Sequence, residues 1–253
     1  MNFQKKTGLL LTMHNEVSRA IDCVKSYERN FNHNIRIIGN DSLALNELSK
    51  YFDVDTQFSH NIINRMHAVE GAKYKVDVTQ LAFIIIDLLE SYYNQCSEIQ
   101  AKFIISLHPD HLVFKSFDKM IGKYDMEINL INEYEAHFKN DFSSITGFKS
   151  NLTKFGLPGY FHRTKMLKTV EFVRRKNYSL LHKLVSKNPK FIYEDSLFPL
   201  LFEYQGFKVG NQGITYEMGR KHRSILRYSN HYLLHQVPDD FKLPKIRKIF
   251  NAN

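Results

Sequence analysis

Phe103-Ile104-Ile105-Ser106-Leu107-His108-Pro109-Asp110-His111-Leu112-Val113-Phe114 is an apolar run that breaks at a tight cluster of metal-competent side chains and then turns apolar again. The run before Pro109 is long enough for a central β-strand, and proline cannot continue a strand ladder, so His108 and Asp110 should emerge together at the strand's carboxyl end. Open α/β sheets bind their ligands at that end. An aspartate beside an imidazole can hold a divalent cation, and a cation there can neutralise a diphosphate. The plainer alternative is a strand followed by a polar turn that happens to contain histidine, since twelve histidines in 253 residues make chance clusters common.

The residues outward from this run repeat one pattern. Gly8 to Met13 is a short apolar strand, and Glu16 to Asn30 follows with Val17, Ala20, Ile21, Val24 and Tyr27 at helical spacing. Ile35 to Gly39 is a second strand. Asn40-Asp41-Ser42 then caps a helix reaching Tyr51, with Leu43, Leu45 and Leu48 on its inner face. A third strand is expected at Asp55 to Ser59, and Val78 to Cys96 is a helix whose first half is apolar nearly all round, as burial against a sheet requires. Such alternation predicts an α/β fold with a mostly parallel sheet covered by helices and right-handed crossovers.

After Phe117 the pattern loosens. Phe155-Gly156-Leu157-Pro158-Gly159-Tyr160-Phe161 is turn-rich and reads as a binding loop, and Arg163 to Ser186 reads as one helix with Met166, Val170, Phe172 and Val173 on its apolar side. Ser196 to Tyr204 is a short apolar helix ending at Gly206, a natural residue just past a helix end, and Phe207-Lys208-Val209 is a short strand. The tail from Arg220 to Asn253 is basic and histidine-rich, with Pro238 and Pro244, and is expected to pack irregularly.

Composition narrows the function classes. A content of 43% hydrophobic and 24% charged residues suits a folded domain, read here as one unit with a first half at 1–117 and a second half with its tail at 118–253. Cys23 and Cys96 lie far apart with no CxxC spacing, so neither a disulfide framework nor a zinc knuckle is indicated, and a reducing cytoplasm fits. Gly8 to Met13 is too short for a signal peptide, and Leu81 to Leu89, interrupted by Asp87, is too short to span a membrane. The net charge of +9, densest at Arg220-Lys221-His222-Arg223, Arg227 and Lys242 to Lys248, admits nucleic acid, an anionic membrane surface, a nucleotide-bearing substrate or a solvated basic face. No nucleic-acid-binding module accompanies it.

Glu194-Asp195 is the second candidate site. Paired acids opening a helix place one carboxylate near the helix amides and leave the other free to act as a general base, although an ordinary N-cap is equally served by Asp195.

The order of parts resembles the GT-A glycosyltransferases. In that superfamily a strand ends in an Asp-x-Asp motif whose last acid binds the metal of a nucleotide-sugar. His108-Pro109-Asp110-His111-Leu112-Val113 resembles it, with Asp110 at the retained acid and His108 replacing the first. Thr12-Met13-His14-Asn15-Glu16 resembles the turn past the nucleotide, and Ile37-Ile38-Gly39-Asn40-Asp41-Ser42 resembles an Asp-Asp-Gly-Ser pattern, which matches in place at Ser42 and puts Asp41 near the base. Glu194-Asp195 resembles the Glu-Asp pair of inverting members, implying Asp195 as base. Of the late histidines in Asn230-His231-Tyr232-Leu233-Leu234-His235, His235 is preferred for the metal or donor phosphates, and His111 drops out.

The resemblance implies an inverting transferase using a nucleotide-diphosphate sugar, most simply a UDP-sugar, with Mn2+ or Mg2+ held by Asp110, His108 and His235. Arg220, Arg223 or Arg227 would clamp phosphate, and Gly159, Tyr160 and Phe161 would shape the side that receives a glycan or lipid-linked acceptor in glycan or polysaccharide biosynthesis. The implied location is cytoplasmic, with peripheral contact to an anionic membrane admitted by the basic tail. The rival class is a basic domain that binds a nucleotide-sugar or nucleic acid without catalysis. A nucleotidyltransferase would need a glycine-rich basic loop after the first strand, which Thr12-Met13-His14-Asn15-Glu16 is not.

Overall fold

The structure, a computed structural model, describes residues 5–52, 55–58, 78–128, 136–153, 156, 158–188, 194–217, 231–235 and 237. Its centre is a seven-stranded sheet. In chain order the strands are β1 (Lys5–Met13), β2 (Ile35–Gly39), β3 (Asp55–Phe58), β4 (Ala101–Leu107), β6 (Met126–Ile128), β7 (Pro158–His162) and β8 (Val209–Gly210), and they lie side by side as β3-β2-β1-β4-β7-β6-β8. Strands β3, β2, β1 and β4 are mutually parallel, β7 runs against both β4 and β6, and β8 is parallel to β6. Six strands therefore share one direction. A second, three-stranded sheet orders β5 (Leu112–Val113), β10 (Leu233–His235) and β9 (Thr215–Glu217) as β5-β10-β9.

The apolar runs explain the layering. Leu9, Leu10 and Leu11 are all fully buried because both faces of β1 are covered, so the strand needs no polar alternation. Leu9, Leu11, Ile37, Phe103, Ile105 and Tyr160 face helices α1 (Val17–Asn30) and α2 (Ser42–Leu48), while Leu10, Ile38, Ile104, Met126 and Phe161 face α3 (Val78–Glu98) and the later helices. Helix α3 buries Ile85, Leu88, Leu89, Tyr92 and Cys96 at helical spacing, as its pattern demands. A Cβ on Gly39 would approach Leu45 Cδ2 to 2.9 Å, so glycine lets α2 begin directly at the strand edge. Leu43, expected on the inner face of α2, is 79% exposed instead; Ala44, Leu45 and Leu48 carry the contact.

The second half corrects three expectations. The segment around Gly159, Tyr160 and Phe161 is a central strand and not a loop, with both rings fully buried. Tyr160 packs edge-on to Phe103 at 5.8 Å, and Phe161 lies 6.3 Å from Tyr92 on the opposite face. Pro158 hides the strand signal, yet at the first strand residue its missing N–H is tolerated. Buried rings of this kind cannot stack on an acceptor sugar, so that role falls away for Tyr160 and Phe161. Second, the expected helix from Arg163 is two helices, α5 (Arg163–Arg175) and α6 (Ser179–Lys187), separated by Asn177 and Tyr178 at φ 47° and 56°. Arg174 and the Tyr178 hydroxyl both donate to the Glu90 carboxylate of α3, which fastens the break in place. Third, residues 233–235 of the expected irregular tail form β10.

Helix α4 (Ala136–Thr146) and α7 (Glu194–Tyr204), buried from Ser196 through Phe202, complete the second layer. Helix α7 ends as foreseen: Phe207 N donates to Phe202 O at 3.0 Å, Gly206 N donates to Glu203 O at 2.8 Å, and Gly206 has φ 78°. The rings of Phe202 and Phe207 meet 5.6 Å apart, closing the cap. No helix among the described residues is long and apolar enough to cross a membrane.

Strand β5 has an open edge that side chains of α1 cover. Ser26 Oγ accepts from Val113 N at 3.0 Å, and Asn30 Nδ2 donates to Val113 O at 3.2 Å. Ser26→Ala should leave a buried N–H unpaired, costing ~1–3 kcal/mol, and thermal unfolding should read this as a lower melting temperature with an unchanged far-UV spectrum.

Candidate active site

Parallel pairing sets the edge at which the site forms. Met13 stands level with Gly39, Gly39 with Phe58, and Leu11 with Leu107, so the segments leaving β1, β2, β3 and β4 emerge on one side of the sheet. His14, at the exit of β1, meets Asn40, at the exit of β2, with Nδ1 and Oδ1 3.0 Å apart. Asn15 and Glu16 are exposed beside them, and Glu16 accepts from His14 N at 3.2 Å. Asp41 acts as the N-cap of α2, its Oδ1 accepting from Leu43 N at 2.9 Å and Ala44 N at 3.0 Å. That cap commits one of its carboxylate oxygens to the helix.

At the exit of β4, His108-Pro109-Asp110-His111 is a tight turn closed by His111 N donating to His108 O at 3.0 Å, with proline where its fixed φ favours the turn. The turn sends the chain into β5. Strand β10 pairs with β5, Leu234 opposite Leu112, and this register carries His235 alongside the turn. Val237 N donates to Asp110 O at 3.1 Å, and Arg19 Nη2 of α1 donates to Val237 O at 3.0 Å, which ties the segment after β10 to both.

Asp110, His111 and His235 consequently gather with one ligating atom from each within 4.8 Å of the others. Asp110 Oδ2 is 3.5 Å from His235 Nε2, Asp110 Oδ1 is 3.3 Å from His111 Nδ1, and the two imidazole rings stack at 4.4 Å. His108 is outside this trio; its ring lies 5.8 Å from that of His111, and its backbone N–H and carbonyl both meet His111 Nδ1. His111 was passed over in the sequence. The signal was present, because a turn with proline second brings its first and fourth residues together.

The electrostatics suit a cation. Burial pushes the Asp110 carboxyl up, but His111, with Nδ1 3.3 Å from Oδ1, and the charges of His235 and His108 together hold it well below the usual carboxylate range. Burial, then the neighbouring His111, pushes His235 down to about 3 against the pull of Asp110, so its imidazole is neutral at pH 7. His111 Nε2 is buried without a hydrogen-bond partner among the described residues. One carboxylate, two imidazoles and a buried ring nitrogen with no hydrogen-bond partner among the described residues fit a divalent ion. Cys23 is nearby, but burial, with the Asp110 charge, pushes its thiol up and keeps it protonated.

A groove of about 1120 Å³ runs along α1, lined by Asn15, Glu16, Arg19 and residues toward Arg29, His33 and Tyr51. The trio does not line it. Glu194 and Asp195 open α7, with their side chains outside the described set. Arg220, Arg223 and Arg227 also lie outside the described residues.

No protein-family model and no curated protein sequence matches the chain. Solved structures do. The galactosyltransferase LgtC, solved with donor and acceptor sugar analogues, matches over 97% of this chain and 95% of its own at 9% identity, with a TM-score of 0.52. The fold is GT-A. Two further similar structures are the glycosyltransferase GlyE of Streptococcus pneumoniae TIGR4, at 12% identity over 98% of this chain and 60% of its own (TM-score 0.48), and the bifunctional glycosyltransferase WbbM, at 10% identity over 94% and 47% (TM-score 0.47). At such identities the LgtC likeness establishes architecture alone. Within the GT-A frame, the trio stands at the edge where the parallel strands end.

A second buried polar group sits deeper in the sheet. Glu127 of β6 is fully buried and accepts from Gln212 N at 2.6 Å and Gln212 Nε2 at 3.3 Å; Gln212 Nε2 also reaches the Tyr160 hydroxyl at 3.0 Å. Burial pushes the Glu127 carboxyl up from 4.5 to about 7, against the Gln212 hydrogen bonds. The folded protein therefore holds this proton more tightly than the unfolded chain, so the stability it confers is lost as pH rises from about 4.5 through about 7. Chemical denaturation across that range should show Glu127→Gln gaining on the parent protein as pH rises.

Proposed function

We propose that the protein is a glycosyltransferase that moves a sugar from a nucleotide-diphosphate donor, a UDP-sugar in the simplest case, to a hydroxyl of a glycan or lipid-linked acceptor with inversion. The observation that carries this reading is the Asp110–His111–His235 cluster at the carboxyl edge of the parallel strands of a GT-A fold. A divalent cation held by these residues would supply positive charge to the diphosphate as it departs. The gain is greatest in the transition state, where that charge is largest.

His14 and Asn15 stand where the donor's nucleotide would lie, with the free oxygen of Asp41 available to a base edge. Asp195 takes the proton of the acceptor hydroxyl as its oxygen attacks the anomeric carbon and the carbon–oxygen bond to phosphate breaks. Glu194 assists by orienting Asp195 or the acceptor, and Arg223 and Arg227 would clamp the phosphates. Gly159 retains a place at the acceptor side only through its backbone. The buried, free cysteines Cys23 and Cys96 agree with a reducing cytoplasm, and the basic tail with contact to an anionic surface bearing the acceptor.

Thermal unfolding with a panel of nucleotide-sugars, with and without a divalent cation, tests this directly. A true donor raises the melting temperature, and more so with cation, because it binds the folded state. Stabilisation by RNA or DNA with steep salt dependence, and none by any nucleotide-sugar, would favour the rival basic binding domain.

A further inference from the structure

We infer that this site selects a divalent ion that favours imidazole, of the Zn2+ or Co2+ kind, over Mg2+. The inference rests on the cation reading of the cluster and adds the class of ion. Its basis is the donor set, which among the described residues holds two imidazoles and a single carboxylate. Magnesium demands oxygen ligands and retains its waters, whereas zinc and cobalt bind imidazole nitrogen well.

The buried His111 nitrogen is the second observation. His111 is 1% exposed, with Nδ1 3.2 Å from the His108 carbonyl and 3.3 Å from Asp110 Oδ1. With the proton on Nε2 the ring accepts from His108 N at 3.1 Å through Nδ1; with the proton on Nδ1 it donates to the His108 carbonyl instead and leaves the Nε2 lone pair unspent, and it is this second tautomer that a cation would select. Nε2 has no hydrogen-bond partner among the described residues, although it is buried. Ligating histidines show this arrangement, the second ring nitrogen donating to a carbonyl or carboxylate that fixes the ring. Here the histidine at the first motif position orients its neighbour through its backbone, and the neighbour supplies the donor atom.

Charge follows from the same substitution. A divalent ion on one carboxylate and two neutral imidazoles leaves the centre at net +1, against zero for two carboxylates. An anionic ligand such as a diphosphate would then meet an uncompensated charge in a partly buried site.

The test uses the full-length protein stripped of metal, with Mg2+, Mn2+, Co2+ and Zn2+ added alone and no donor, read by titration calorimetry and thermal unfolding. One Zn2+ or Co2+ per chain should bind at least ~100-fold more tightly than Mg2+, and bound Co2+ should develop the visible absorption of nitrogen ligation. His111→Asp should narrow the Zn2+ to Mg2+ preference by at least ~10-fold, and His235→Asp should do the same. Equal affinity for Mg2+ and Zn2+, no binding of any ion, or zinc binding that ignores both substitutions overturns the inference. Should either variant fail to fold, the ranking and cobalt spectrum of the parent protein still decide. Zinc binding at the cluster without stabilisation by any nucleotide-sugar would sink the transferase reading and leave this inference standing, whereas donor binding with magnesium preferred would do the reverse.

Discussion

Asp110→Ala is expected to reduce kcat/KM for sugar transfer by at least ~10³-fold and to abolish the extra thermal stabilisation that a cation gives to donor binding. Among the described residues Asp110 is the only carboxylate in the cluster, with its two oxygens 3.3 Å and 3.5 Å from the two histidines, so none of them replaces its charge. The turn itself should survive, because it is closed by His111 N donating to His108 O, and the Asp110 carbonyl that accepts from Val237 N is kept as well. Asp110→Asn preserves shape and removes charge, and should fall nearly as far. Steady-state kinetics with and without added cation, alongside a melting curve, gives the answer; full cation-dependent activity in the folded Asn variant would show that the cluster is not the donor site.

Asp195→Ala should lower kcat by ~10²–10⁴-fold with donor affinity and cation response unchanged. A base acts on the acceptor, so its loss separates chemistry from donor binding. The competing role is that of a first-turn acid of α7, which begins at Glu194 and so takes Asp195 inside the helix and not at its cap, and which buries Ser196 through Phe202. Loss of that charge beside the helix amides would cost ~0.3–1 kcal/mol of stability and leave kcat intact. The helix's amino end also favours an ionised carboxylate, which a base must be. Single-turnover rates and calorimetric donor affinity on the same preparation distinguish the two roles. A product that keeps the donor's anomeric configuration would remove Asp195 from this position, since base-assisted attack at the opposite face inverts it.

Helix α7 and β7 show why the second half was harder to read than the first. The end of α7 was legible because a capping glycine acts within two residues of the helix terminus, and Gly206 does so. Strand β7 was not legible, because Pro158 and Gly159 carry turn chemistry locally while the strand is made by pairing to β4 and β6, distant in sequence. Tyr160 and Phe161 bury on opposite faces only because both faces of the sheet are covered there. Without that context they read as exposed aromatics on a loop.

The sequence by itself determined the strand–helix alternation of β1, α1, β2, α2, α3 and β4, and with it the α/β class and the edge at which His14 and Asp110 emerge. These follow from hydrophobic period and turn residues, both properties of short windows. Tertiary structure alone decided the membership of the metal-competent trio. His235 reaches Asp110 because β10 pairs with β5, whose outer edge Ser26 and Asn30 of α1 hold in place. His111 displaces His108 because the closed turn spends the His108 backbone on His111 and directs the next imidazole inward. A donor set is a statement about atoms within a few ångströms, and only the packed chain brings residues so far apart in sequence to that distance.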